Sequence, residues 1–132
     1  MSAKTQRIIG WVVSGLIAAF LLFSASGKLL PLMPADQKEE MLAHLGWAES
    51  TLKIIGLIEL VVVALYLIPQ TGFLGTILMT GYLGGAIATH VRVGDLPLLP
   101  FGMGVMAWVG YGLRNPIVFK LALGAYPTPP AA

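Results

Sequence analysis

Four long stretches of this chain are almost free of charge, and polar breaks separate them. Residues 8–27 are uncharged. Residues 52–68 are interrupted only by Lys53 near one edge and by Glu59 inside. Residues 72–91 hold only the titratable His90, and residues 96–113 are uncharged but open with Pro97 and Pro100. A bilayer core about 30 Å thick takes roughly 20 apolar helical residues to cross. The pattern therefore predicts four transmembrane helices, over 8–27, 52–68, 72–91 and 96–113. Pro97 falls in a first turn, where a missing N–H has no helical partner; Pro100 lies deeper and predicts a bend there.

The breaks are unequal. Pro69-Gln70-Thr71 and Arg92-Val93-Gly94-Asp95 are tight connections, whereas residues 28–51 form a long one that holds most of the acidic residues. Within it, residues 36–45 place Met41, Leu42 and Leu45 behind a charged start, which predicts a short amphipathic helix on the membrane surface or capping the bundle. Pro127, Pro129 and Pro130 predict a loose tail over 126–132. Ser24-Ala25-Ser26 has the small residues of a secretory cleavage site, but the apolar run before it exceeds the usual length of about 7–15 residues, so it reads as a true span. No repeat or boundary appears. The expected fold is all-α: a transmembrane four-helix bundle forming one membrane domain over 1–132, with a short amphipathic helix in the first loop.

Composition sharpens this picture. The 132 residues are 57% hydrophobic and 11% charged, against about 25% charged in soluble domains. With a mean hydropathy of +0.84, a core this small cannot hide the apolar surface from water, and disorder needs the opposite composition. Cysteine is absent, which excludes disulfides, thiolate metal sites and cysteine nucleophiles. Eight basic residues, scattered, with a net charge of +2, are too few for nucleic-acid binding. Lys4, Arg7, Arg114 and Lys120 on one side balance Lys28, Lys38, Lys53 and Arg92 on the other. The first span usually dominates orientation, so Lys4 and Arg7 point to termini in the cytoplasm. Trp11, Tyr66, Phe73 and Tyr111 would form an aromatic belt near that face. The expected setting is a bacterial cytoplasmic membrane, crossed several times.

Alternating span direction gathers the remaining polar residues. At a helical rise of about 1.5 Å per residue, Glu59 lies about 10 Å below the face opposite the termini. Lys28 ends span one at that face, His90 ends span three there with Arg92 and Asp95 just outside, and Met103 falls level with Glu59. An intramembrane carboxylate pairs, stays protonated or is functional. Lys28 is its expected partner, either to lock the bundle or within a proton-handling or ligand-anchoring site. His90 and Arg92 have simpler readings, as a helix-end cation and as a headgroup-level marker beside Asp95. One intramembrane His and one Glu do not make a metal site. Haem held by His90 with Met103 or Met106 is disfavoured, because methionines in an apolar bundle are ordinarily packing. Gly81 and Gly85 form a GxxxG that would serve a homodimer, although close packing inside the bundle is the favoured reading. There is no P-loop, GxSxG or dinucleotide fingerprint.

Ser26-Gly27-Lys28-Leu29, Gly56-Leu57-Ile58-Glu59-Leu60 and the stretch from Gly84 to Asp95 (GGAIATHVRVGD), with Trp108 and Arg114, resemble the DoxX-like family of small four-helix membrane proteins. The resemblance covers about residues 8–116. It implies the fold, and marks Lys28, Glu59, His90, Arg92 and Asp95 as positions of interest. It also implies kinship with small subunits of thiosulfate–quinone oxidoreductases and other membrane redox complexes, and more distantly with assembly or cargo chaperones. The first functional expectation is accordingly a component of a quinone-linked or other membrane redox system, working with a partner redox subunit. It would bind a small amphiphile, with a quinone as candidate, between the helices. Glu59 and His90 are the candidate catalytic residues, and Lys28, Glu59, His90, Arg92, Asp95 and Met103 the candidate ligand set. The alternatives are a non-catalytic assembly or interaction protein and, third, a transporter subunit.

Overall fold

The computed structural model describes residues 1–126 and 128. Among them are six helices and no strand: α1 (Ala3–Leu29), α2 (Ala35–Leu45), α3 (Glu49–Leu67), α4 (Gly72–Arg92), α5 (Leu98–Arg114) and α6 (Ile117–Ala122). The four longest pack as a ring in which α1 touches α3 and α5, and α4 touches the same two. Most of the tail expected to be loose lies outside the described residues.

Each helix ends where its sequence offers a stop. Ser2 caps α1, its side chain accepting from the Thr5 amide at 3.1 Å. Gly46 closes α2 at φ 70°, a left-handed conformation natural to glycine, which lets its N–H and that of Trp47 reach the Leu42 carbonyl. Pro97 sits at the N-cap of α5, so that helix starts at Leu98 rather than 96. Pro100 then falls in the first turn, where no bend is required; the Phe101 amide still reaches the Pro97 carbonyl at 3.1 Å.

This shortening separates α5 from the other three long helices. By length and composition α1, α3 and α4 can cross a bilayer. At 17 residues, α5 reaches only about 26 Å at about 1.5 Å per residue, short of a 30 Å core. The exterior nevertheless suits lipid. Val12, Leu16, Phe23, Ile54, Leu57 and Ile77 stand exposed, whereas Ser14, Glu59, Thr76 and Arg114 are buried. That is the reverse of a water-soluble protein, and the chain is a multi-pass membrane protein.

The helices meet most closely at the end near the chain termini. A Cβ on Gly75 would collide with the Tyr66 backbone, and one on Gly10 would stand 2.8 Å from the Arg114 nitrogen and 2.9 Å from the Gly110 carbonyl oxygen. Glycine therefore sets the α3–α4 and α1–α5 crossings. The core of Ile17, Leu21, Val63, Tyr66, Met79 and Ala107 fills the space between. The GxxxG is not part of this packing, contrary to expectation: a Cβ on Gly81, Gly84 or Gly85 would meet nothing within 4 Å. Those glycines lie beyond the crossing, where α3 and α4 no longer touch backbone to backbone.

Candidate functional site

At the other end the ring encloses a cavity of about 1100 Å³, lined by α1, α3, α4 and α5 and covered by α2 through Gln37, Met41 and Leu45. Helix α2 has no buried residue, so it rests over the cavity as a cover and is not part of the core.

Lys28, in the last turn of α1, reaches inward across the gap to α3. Its Nζ donates to Glu59 Oε2 at 2.7 Å and to Ser24 Oγ, one turn back on its own helix, at 2.5 Å. Glu59 is 1% exposed and Lys28 19%, so the pair stands at the inner wall with the lysine toward the opening. Gly56 allows this approach, because a Cβ there would lie 2.9 Å from Lys28 Cβ. Tyr82, on α4, lines the same cavity as Glu59.

His90, Arg92 and Met103 also line the cavity, and Asp95 does not. Asp95 Oδ2 instead accepts from His44 Nε2 at 2.9 Å and from His90 Nδ1 at 3.3 Å. These two rings, His44 first, hold the Asp95 carboxyl below the usual carboxylate range. Arg92 is not the neighbour of Asp95 that was expected. It donates to the Leu45 carbonyl at the end of α2 and lies 5.5 Å over the Trp47 ring. A free backbone carbonyl at a helix C-terminus attracts a cation, and His44 has already taken the carboxylate. Together with Lys38 on Glu49 at 2.6 Å, these contacts fasten α2 at its edges.

Sequence reasoning thus brings Lys28, Glu59, His90, Arg92 and Met103 to one cavity, and misses Ser24, Tyr82 and Trp47. The signal for two of them was present: Ser24 lies four residues before Lys28, and Tyr82 eight before His90, each on the same helical face.

The expected aromatic belt is also redrawn. Tyr66 and Tyr111 are buried while Trp11 and Phe73 stay on the exterior, and Arg114, 6% exposed, lies among Trp11, Tyr66 and Tyr111. Its guanidinium carbon stands 4.4, 4.7 and 5.1 Å from the Trp11, Tyr66 and Tyr111 ring centres, and Nη2 donates to the Tyr66 carbonyl at 3.1 Å. The Tyr66 hydroxyl donates to the Ala107 carbonyl at 2.9 Å and meets Ser14 Oγ at 2.9 Å. Aromatic faces here replace the carboxylate that a buried cation normally needs. Among the described residues no three His, Asp or Glu are grouped to hold a metal ion.

No curated protein and no solved structure matches the chain significantly. Residues 12–111, which hold α3 and α4, most of α1 and α5, and every cavity-lining position named above, match the model of the DoxX-like family, and the chain belongs to that family.

Proposed function

We propose that this DoxX-like protein is one membrane domain that binds a small amphiphile in the cavity beneath α2, as a component of a quinone-linked membrane redox system. In this reading α5 is a fourth, short span, both termini face the cytoplasm, and the cavity lies in the half of the bundle away from them. The observation that carries the reading is the placement of the Lys28–Glu59 ion pair on the wall of an otherwise largely apolar cavity. Apolar pockets with a few convergent polar groups are the common form of small-ligand sites. A quinone ring suits these groups: its carbonyl oxygens accept hydrogen bonds from Lys28 and from a His90 N–H, and the hydroxyl of the quinol donates to Glu59. The chain supplies binding and orientation, and a partner subunit supplies the electrons, since no electron carrier is encoded.

Native mass spectrometry of the detergent-solubilised protein, with and without added decyl quinone, tests this reading. Wild type is expected to retain the quinone, and Glu59→Gln to lose it while still eluting as a folded, monodisperse protein whose melting temperature is lowered by the broken ion pair. Equal retention by both would refute the site and leave the assembly or interaction role as the better reading.

A further inference from the structure

The cavity is not closed on its bilayer side. Along α4, Gly81, Gly85, Ala88 and Arg92 recur at steps of four, three and four residues, which puts them on one stripe of the helix. All four line the cavity, and all four are exposed. The cavity wall here is therefore also the outer surface of the bundle. Ile55 and Ile58 supply the α3 side of the same lining, and Ile58 is 49% exposed. A Cβ on Gly81 or Gly85 would meet nothing within 4 Å, so among the described residues no side chain covers the seam at these two positions. The α1–α5 side is also exposed, but its lining there is bulky, with Phe20, Phe23 and Leu99 standing where α4 has glycine and alanine. The seam leads inward to Tyr82 and Glu59, and Glu59 is almost completely buried.

We infer that the α3–α4 seam is the lateral entrance of the site and the channel for a hydrocarbon tail. The inference rests on the reading of the cavity as a ligand site and specifies the ligand as a long-chain amphiphile delivered from the bilayer. Its head stands against Lys28 and Glu59, and its tail lies over Gly81 and Gly85 between α3 and α4. Depth supports this route, since Gly81 lies about 16 Å below Arg92 along the helix, within the hydrocarbon. A long tail that entered from water beneath α2 would be exposed to solvent on the way; one that enters through the seam stays among apolar groups throughout. Arg92, stacked on Trp47, bounds the seam at its outer end.

Two quinones with the same ring, one with a single isoprene unit and one with a decyl tail, distinguish the routes by isothermal titration of full-length protein in nanodiscs. Gly85→Leu projects into open space, so the fold is retained, as the melting temperature checks. It is expected to weaken the decyl quinone about tenfold, the worth of about two buried methylenes, and to leave the one-isoprene quinone within about twofold. Loss of neither quinone, or equal loss of both, overturns the seam. On wild-type protein, a decyl quinone with a photoreactive group at the tail end is expected to label Ile58, Gly81 or Gly85. Labelling confined to Phe20, Phe23 or Leu99 overturns the seam but leaves the cavity as the site. Failure of both quinones to bind wild type removes the cavity reading, and the seam with it.

Discussion

The two ends of this bundle bury polar groups by opposite means. Near the chain termini the helices touch backbone to backbone at Gly10, Gly110 and Gly75, and a single cation, Arg114, is enclosed by three aromatic rings and a carbonyl. At the far end the helices separate, an acid pairs with a base on the wall of a large cavity, and a helix without buried residues lies over the gap. The closed end surrounds its cation with neutral partners in a dense setting and leaves Arg114 Nε buried without a hydrogen-bond partner. The open end uses opposite charges and leaves space beside them. Dense packing and open space are thus allotted to different halves of one small ring, and both halves depend on where glycine falls.

The strongest way to break this contrast is to exchange the glycine rules of the two ends. Gly75→Leu places a side chain into the Tyr66 backbone, and overpacking where only backbone can move is severe. We expect no folded protein by size-exclusion chromatography in detergent. Gly85→Ala at the open end should be neutral or stabilise by up to about 1 kcal/mol, the helix-propensity difference, as read from thermal unfolding. Comparable losses at the two positions would show that the ends do not differ.

Next in size is the ion pair. Lys28→Met leaves Glu59 buried without its partner, and breaking a buried pair in this way costs about 3–5 kcal/mol. Replacing both residues, as Lys28→Met with Glu59→Leu, should recover most of that loss. A single variant as stable as wild type would mean that the pair contributes nothing. At the closed end, Tyr66→Phe removes the hydroxyl that joins Ser14 to the Ala107 carbonyl. About 1–3 kcal/mol of destabilisation is expected from the groups left unsatisfied, with little change in ligand binding.

The smallest effect concerns the cover. The folded Asp95 carboxyl is held low by His44 and His90, so its contribution is present above the ordinary aspartate range, about 4. That contribution is lost as the pH falls through its lower, folded value. Asp95→Asn should speed hydrogen exchange in α2 near neutral pH and leave α3 and α4 unchanged. Faster exchange spread over the whole ring would show instead that α2 is integral to the bundle.

Much of the architecture was legible because charge is so rare in this chain. Uncharged runs separated by short polar breaks fix the helices and their alternation, and an acid in the middle of span two demands a base at the same depth, which only Lys28 supplies. The amphipathic stretch before Gly46 likewise became a cover. What could not be read depends on rotation about the helix axes. Gly75 and Gly85 look alike in sequence, yet one sits at a crossing and the other faces open space. Arg114 counted only as a terminal charge, because nothing in the order of residues says that Trp11, Tyr66 and Tyr111 converge on it. Asp95 had two nearby cations to choose from, and the choice depended on where α2 ends. The start of α5 turned on whether Pro97 would be a cap or a helical residue, which apolar patterning does not distinguish.

The Tyr66 contacts also carry a consequence for the order of assembly. The α3–α4 hairpin, closed at Gly75 by the Tyr66 backbone, can form as soon as both helices have left the ribosome. The Tyr66 hydroxyl and ring, however, need Ser14 from the first helix and Ala107, Tyr111 and Arg114 from the fifth. The closed end therefore stays incomplete until the chain is nearly finished, and α1 must wait beside the hairpin with Ser14 unsatisfied. A nascent chain halted before residue 107 should insert into the membrane and still remain an easy substrate for proteolytic quality control.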